Sequence, residues 1–367
     1  MTQHGSNKPR AGGVGRHRFL SAAGAITLVA SAAALALVPT PAMAKTYELK
    51  IAHFVTPKHS YSKWIEKWAK ELEAKSKGEL KFKIFPGAQL GPPPKYYDMV
   101  RRGQVDITWI VHGFTAGLFP LTELSNLPYL VGSAEIGIKV LNDKMLRSKY
   151  LDREHKRVKV LMLFTHQPGN INTAKRPVRT IADIKGLRLR FASPTIRDFI
   201  AALGGTPVGL PPTRISEDMQ KGTLDGAFID YGGAGIAFKM GPVTKYTTEM
   251  YSYVASFCLC MNQRSFNRLP ASLRALIDKS LIGREKEVGH AWDKLDPIGK
   301  KIMMKAGMTP IKLTPAEDKK FRAIGAKVAE AKIAELEKRG LPARAVYKMM
   351  KALAAKHAAT SRNFWAK

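Results

Sequence analysis

The chain is 367 residues long, with 60 lysines and arginines against 29 aspartates and glutamates, a formal net charge of +31, and two cysteines. So few cysteines exclude a disulfide-stapled miniature fold, and the length exceeds what one small core organises. The positive excess suits anions, but the basic residues are spread through every predicted helix instead of forming one stripe, which argues against nucleic acid as a partner.

Residues 1–44 carry the parts of a secretory signal in order. Lys8, Arg10, Arg16 and Arg18 form a basic start without an acid, Phe19 to Val38 is apolar and alanine-rich, and Pro39 and Pro41 precede the small-x-small site Ala42-Met43-Ala44. Cleavage is expected before Lys45, leaving a periplasmic protein with 56 basic and 29 acidic residues, a net +27. His17 stands where a twin-arginine signal has its second arginine, so both export routes stay open. No cysteine follows the cleavage site to take a lipid, and no later stretch reaches a membrane-spanning length.

Tyr47 to Ala52 alternates apolar and polar residues as a half-buried strand does, and a loop follows from His53 to Ser60. Tyr61, Trp64, Ile65, Trp68 and Leu72 then fall at helical spacing, with Lys77-Gly78 as a basic last turn and a stop. Leu80, Phe82 and Ile84 make a second strand, a short helix ends near Gly103, and Val105 to Val111 makes a third strand.

Arg102-Gly103-Gln104-Val105-Asp106, preceded by a proline run and a short helix, has a counterpart in Lys221-Gly222-Thr223-Leu224-Asp225 after Pro211-Pro212. In both copies a basic residue and glycine close a helix and a strand begins across [Val/Leu]-Asp. Two similar α/β lobes follow. Between the copies, Val158 to Thr165 and Leu187 to Phe191 read as strands, and a helix carries Ile196, Phe199, Ile200 and Leu203. Phe257 to Met261 reads as a buried strand whose Cys258 and Cys260, two apart on one face, suit free thiols better than a disulfide. Leu269-Pro270 opens what reads as one long helix toward Gly307, kinked at Pro297. Thr314-Pro315-Ala316-Glu317 is a capping-box start, and the last fifty residues read as helical.

Nucleophile elbows, zincin motifs, phosphate-binding loops and zinc cysteine sets are absent, and Phe238 spoils the dinucleotide-like Gly233-Ala234-Gly235. The chain reads as a non-enzyme without cofactor or metal. Open α/β lobes bind ligands at the carboxyl ends of their strands, which selects three loops: His53 to His59, Trp109 to Thr115, and Phe228 to Gly233. His53, Trp109, Phe228 and Tyr231 are their candidate contacts, each equally compatible with packing. Arg190, on one strand face with Arg188, is a candidate anchor, because a guanidinium at a strand end can grip a carboxylate through two parallel hydrogen bonds, while the strand by itself fits a solvated arginine at least as well. An exported hydrolase and an exported binder of anionic polymer are the rival classes.

Five segments in order resemble the solute-binding proteins of tripartite ATP-independent periplasmic (TRAP) transporters. They are Phe85 to Gly91, Arg102 to Asp106, Asp183 to Arg190, Lys221 to Gly226 and Met261-Asn262. The resemblance covers about Tyr47 to Lys338. It implies a two-lobed periplasmic binding protein fold of α/β class with discontinuous lobes, crossing strands and a long connecting helix. On that basis lobe I comprises 45–165 and about 256–295, and lobe II about 166–255 and 296–350, with a helical tail over 351–367. It also implies that Arg190 holds a ligand carboxylate and that membrane permease subunits are the partners. Asn170 falls where sialic acid binders carry a second arginine, and Ala227 to Asp230 replaces a Gln-Glu-Asn-Pro of many members. Neither sialic acid nor a simple C4-dicarboxylate is expected, and the protein is expected to act as a monomer.

Overall fold

The computed structural model describes residues 45–365; the segment read as an export signal lies outside them. Eleven strands build two sheets. The first is ordered β2-β1-β3-β10-β4, from β1 (Tyr47–Ala52), β2 (Leu80–Phe85), β3 (Ile107–Val111), β4 (Lys159–Thr165) and β10 (Ser256–Met261). The second is ordered β11-β9-β5-β8-β6-β7, from β5 (Gly169–Thr173), β6 (Arg188–Phe191), β7 (Thr206–Gly209), β8 (Gly226–Ile229), β9 (Tyr246–Tyr253) and β11 (Thr309–Lys312). In the first sheet β1, β2 and β3 run parallel and β10 runs against β3 and β4. In the second, β6 lies parallel between β7 and β8.

The repeated glycine and aspartate do the same work in both sheets. Gly103 and Gly222 close their helices at φ +79° and +69°, the left-handed region a side chain disfavours. Asp106 then accepts the Lys50 backbone N–H at 2.8 Å, and Asp225 accepts that of Arg188 at 2.8 Å. Each aspartate N–H in turn donates to the carbonyl of the same residue, at 3.1 and 3.0 Å. The motif therefore locks β3 to β1 and β8 to β6 at equivalent points.

The chain passes between the sheets three times: directly from β4 to β5 through residues 166–168 and from β9 to β10 through residues 254–255, and from β10 back to β11 through the helices between them; the first two are the short crossings. Every residue of β3 and β10 is buried, so their apolar runs are covered on both faces. Cys258 and Cys260 lie there as free thiols, wholly shielded from solvent. On the Ser60–Lys75 helix the predicted stripe, Tyr61, Trp64, Ile65, Trp68 and Leu72, is buried against the first sheet. The 24-residue helix Pro315–Lys338 contributes Phe321 and Val328 to the second sheet's core and Ala329, Ile333 and Leu336 to the first's. Its Thr314 hydroxyl accepts the Glu317 N–H at 3.2 Å, with Pro315 opening the helix. No helix among the described residues is long and apolar enough to cross a membrane.

Two helical expectations are corrected. The stretch after Leu269 is three helices, Ala271–Lys279, Glu285–Asp293 and Leu295–Lys305, separated at Gly283 and Lys294. Pro297 sits in the first turn of the third, where its missing N–H has no helical partner to lose. At the C-terminus, helix Ala343–Ala358 ends early, and residues 359–365 are not a helical tail. They fold back, with the Phe364 N–H donating to the Gly132 carbonyl at 2.9 Å and Trp365 Nε1 to that of Tyr251 at 2.8 Å.

Asp296, at the start of the Leu295–Lys305 helix, is 4% exposed; Tyr251 Oη donates to its Oδ2 at 3.3 Å, and its Oδ1 has no partner among the described residues. Burial, with the nearby Asp230 charge, pushes this carboxyl up to about 7. The folded protein thus keeps a proton that the unfolded chain releases near pH 4, and the stability this group lends below pH 4 is lost as pH rises through 7. Asp296→Asn should therefore gain stability relative to the wild type between about pH 4 and pH 8, by up to about 4 kcal/mol. Denaturant melts of both proteins at the two pH values check this, and a constant difference would count against a buried titrating carboxyl.

Candidate ligand-binding site

A cavity of about 490 Å³, its open mouth included, lies between the strand ends of the two sheets. The three loops selected from the sequence all reach it: Phe54, Val55 and His59 from the first, Val111 and Phe114 from the second, and Ile229, Asp230 and Gly233 from the third. Both short crossings between the sheets contribute as well, with His166 from one and Ala255, flanked by Tyr253 and Phe257, from the other. Trp292 closes the wall from the Glu285–Asp293 helix, stacked on Phe257 with ring centroids 5.7 Å apart.

Arg190 enters from β6, and its residue is only 3% exposed. Its Nε donates to the Leu210 carbonyl at 3.2 Å, which fixes the guanidinium plane. Neither terminal nitrogen is hydrogen-bonded among the described residues. Burial pushes the group down to about 10, opposed by Tyr253 and Asp230, so it stays charged at neutral pH. Arg188, on the same strand face, is spent: its Nε and Nη2 both bond Asp225 at 2.8 Å.

The other polar groups are held in defined states. Tyr61 N–H donates to His59 Nδ1 at 3.2 Å, capping a helix, so the neutral ring carries its proton on Nε2. Burial, with His53 nearby, pushes His59 down to about 3 and keeps it neutral. Ala255 N–H donates to His166 Nε2 at 2.9 Å, which puts the His166 proton on Nδ1, bonded to the Gln167 carbonyl. Burial also lowers His166, against the raising influence of Asp230. Asp230 Oδ1 accepts Gln167 Nε2 and the Gly233 N–H, each at 2.7 Å. Tyr253 is buried, which pushes its hydroxyl well up and keeps it a neutral donor.

Of the six residues selected from the sequence, Arg190 alone lines the cavity. Asn170 Oδ1 accepts the N–H groups of Met250 and Tyr251, at 2.9 and 2.8 Å, where the pairing of β5 with β9 shifts register. His53 bonds Ser62 Oγ through Nε2 at 3.2 Å and stacks on Trp109, itself wholly buried among Phe54, Tyr61 and Phe164. Phe228 is in the second sheet's core against Phe199 and Tyr253, and Tyr231 Oη donates to Glu249 at 3.0 Å. In two of the three loops a residue that lines the cavity lies beside a selected one: Phe54 follows His53, and Asp230 precedes Tyr231, whereas in the second loop Val111 lies two residues beyond Trp109. No local signal in the sequence separates the lining residues from the selected ones. Trp292 carried none.

A sequence profile of the bacterial extracellular solute-binding protein family 7 matches residues 51–335. A TRAP solute-binding protein of Rhodoferax ferrireducens T118, solved with copurified benzoate, superposes with a TM-score of 0.81 at 29% identity over 86% of this chain and all of that one. A marine-metagenome TRAP solute-binding protein described as specific for aromatic acid ligands, solved with 3-hydroxybenzoate, gives 0.80 at 30% over 85% and 99%. A Bordetella bronchiseptica homologue holding both enantiomers of mandelate gives 0.76 at 25% over 84% and 99%. With the matched span covering most of the chain and the two-sheet architecture shared, the protein is a member of the bacterial extracellular solute-binding protein family 7, of the kind that serves TRAP transporters.

Proposed function

We propose that this protein is a periplasmic receptor that binds a small aromatic monocarboxylate between two lobes, one built on each sheet, and delivers it to a TRAP permease. The observation that carries the reading is Arg190: a buried charged guanidinium whose terminal nitrogens have no partner among the described residues, in a cavity walled by Phe54, Phe114, Phe238, Phe257 and Trp292. A carboxylate supplies what the guanidinium lacks, and an aromatic body buries against the walls. The benzoate, hydroxybenzoate and mandelate held by the three solved relatives support the same class. The strongly basic surface would steer such anions inward. A thermal-shift screen of aromatic and aliphatic acids tests the proposal. An aromatic monocarboxylate at a hundred times its Kd should add roughly 2.7 kcal/mol of stability, and a screen in which only dicarboxylates or sugars stabilise would overturn it.

Capture in such a cleft requires the lobes to part and close about the crossings. Gly113 lies where the loop after β3 meets the loop after β6, and a Cβ there would stand 2.4 Å from the Ala192 carbonyl oxygen and 2.7 Å from Ser193 Cα. Gly113→Ala should therefore hold the cleft partly open, weakening binding by roughly tenfold or more, since overpacking costs about 1–3 kcal/mol. Calorimetry measures the affinity and small-angle scattering the closure. A variant that closes and binds like the wild type would remove Gly113 from this role.

A further inference from the structure

Asp230 is buried, 5% exposed, and lines the same cavity as Arg190. The two do not pair: no ion pair within 4.0 Å joins them among the described residues. Oδ1 is doubly used, by Gln167 and by the Gly233 N–H. Oδ2 accepts nothing from the described residues. Its nearest titratable neighbour is His166 Nδ1 at 3.6 Å, beyond hydrogen-bond range, and that N–H is already committed to the Gln167 carbonyl. His59 Nε2–H, Tyr253 O–H and the Arg190 nitrogens add donors on the cavity wall, so Asp230 supplies its unsatisfied carboxylate acceptor.

Once a ligand displaces water from the cavity, a carboxylate oxygen that faces it is costly unless the ligand donates to it. We infer that Asp230 reads a hydrogen-bond donor on the ligand, a hydroxyl or an ammonium set apart from the carboxylate that Arg190 holds, and that it rejects a second carboxylate. This rests on the aromatic-acid reading and specifies the ligand's other end. The donor restores the acceptor's lost hydration, whereas a second carboxylate meets a like charge in a desolvated site. An ammonium would also leave the filled cavity electrically neutral.

Two matched series tested by calorimetry separate these outcomes. The first is benzoate, the three hydroxybenzoates and the three benzenedicarboxylates. The second is phenylacetate, mandelate, phenylglycine and phenylmalonate, which share one body and differ in a hydrogen, hydroxyl, ammonium or carboxylate. In the wild type, a donor-bearing member should bind roughly ten- to a hundredfold more tightly than its unsubstituted parent, and the dicarboxylates at least about a hundredfold more weakly than that member. Tighter mandelate than phenylglycine identifies a hydroxyl, and the reverse an ammonium; either supports the assignment. Asp230→Asn keeps the side-chain shape and an oxygen for the Gly233 N–H while offering an N–H where Oδ2 stood. It should abolish the donor preference and improve the dicarboxylates relative to the parent acids by at least tenfold. Wild-type protein that binds benzoate or phenylacetate as tightly as every donor-bearing analogue overturns the role of Asp230 and leaves the aromatic-acid reading standing. An Asp230→Asn protein that folds and keeps the wild-type ranking overturns it as well. If no member of either series binds, both readings fall together.

Discussion

Arg190→Ala should lower the affinity for an aromatic monocarboxylate by a factor on the order of 30 to several thousand, because removing one partner of a buried charged pair costs about 2–5 kcal/mol. The unliganded protein should not suffer in proportion. Arg190 is desolvated and makes one hydrogen bond, to Leu210, so its removal also takes away a buried charge that nothing in the empty site neutralises at contact distance. The variant should therefore melt at or above the wild-type temperature while failing to bind, a separation that a misfolded protein would not show. Arg190→Lys should recover only part of the affinity, since an ammonium has the charge without the planar fork. Arg188→Ala is the contrast: it removes an exposed side chain and its bidentate contact with Asp225, so it should cost little stability and leave affinity near wild type. Calorimetry and thermal melts on the four proteins decide the matter, and near-wild-type binding by Arg190→Ala would refute the anchor.

Trp292→Ala should destabilise the fold by about 3–5 kcal/mol, the usual cost of emptying a packed aromatic site. The ring is 4% exposed and lies 5.0 Å from His59, 5.2 Å from Tyr61 and 5.7 Å from Phe257, centroid to centroid, so it pins the loop after β1, the first long helix and β10 together. Its indole nitrogen is buried without a partner, so Trp292→Phe removes an unsatisfied donor along with some volume and should cost much less than the alanine change. Urea unfolding measures both, as a drop in midpoint at unchanged slope. Ligand affinity should fall in the alanine variant as well, because the indole is part of the apolar wall. Equal stability of the alanine and wild-type proteins would mean that the helix packs without this ring.

The sequence by itself determined the α/β class, most strands and the loops that meet the cavity. Each rests on a local rule: period-two and helical spacing mark the elements, glycine after a basic residue marks helix ends, and the repeated [Val/Leu]-Asp turned out to be one hydrogen-bonded clasp used twice, on Lys50 and on Arg188. Arg190 was legible through the resemblance of the segment Asp183 to Arg190 to the family, since the strand Arg188–Phe191 taken alone fits a solvated strand-end arginine equally well. Tertiary structure decided the rest. Which residue of a loop faces the cavity depends on the neighbouring strand, so His53 turned to Ser62 and Trp109 while Phe54 and His59 lined the wall. Asn170 had the composition of a ligand contact, but the register shift between β5 and β9 left two backbone donors that took its oxygen. The first break in the helical run after Leu269 falls at Gly283, whose φ is +76°, and the helix that follows brings Trp292 to the cavity from a segment with no local mark of function. Local spacing fixes where a chain bends and which face is apolar; the contents of a cavity between two sheets depend on contacts between segments far apart in sequence, and no single segment encodes them.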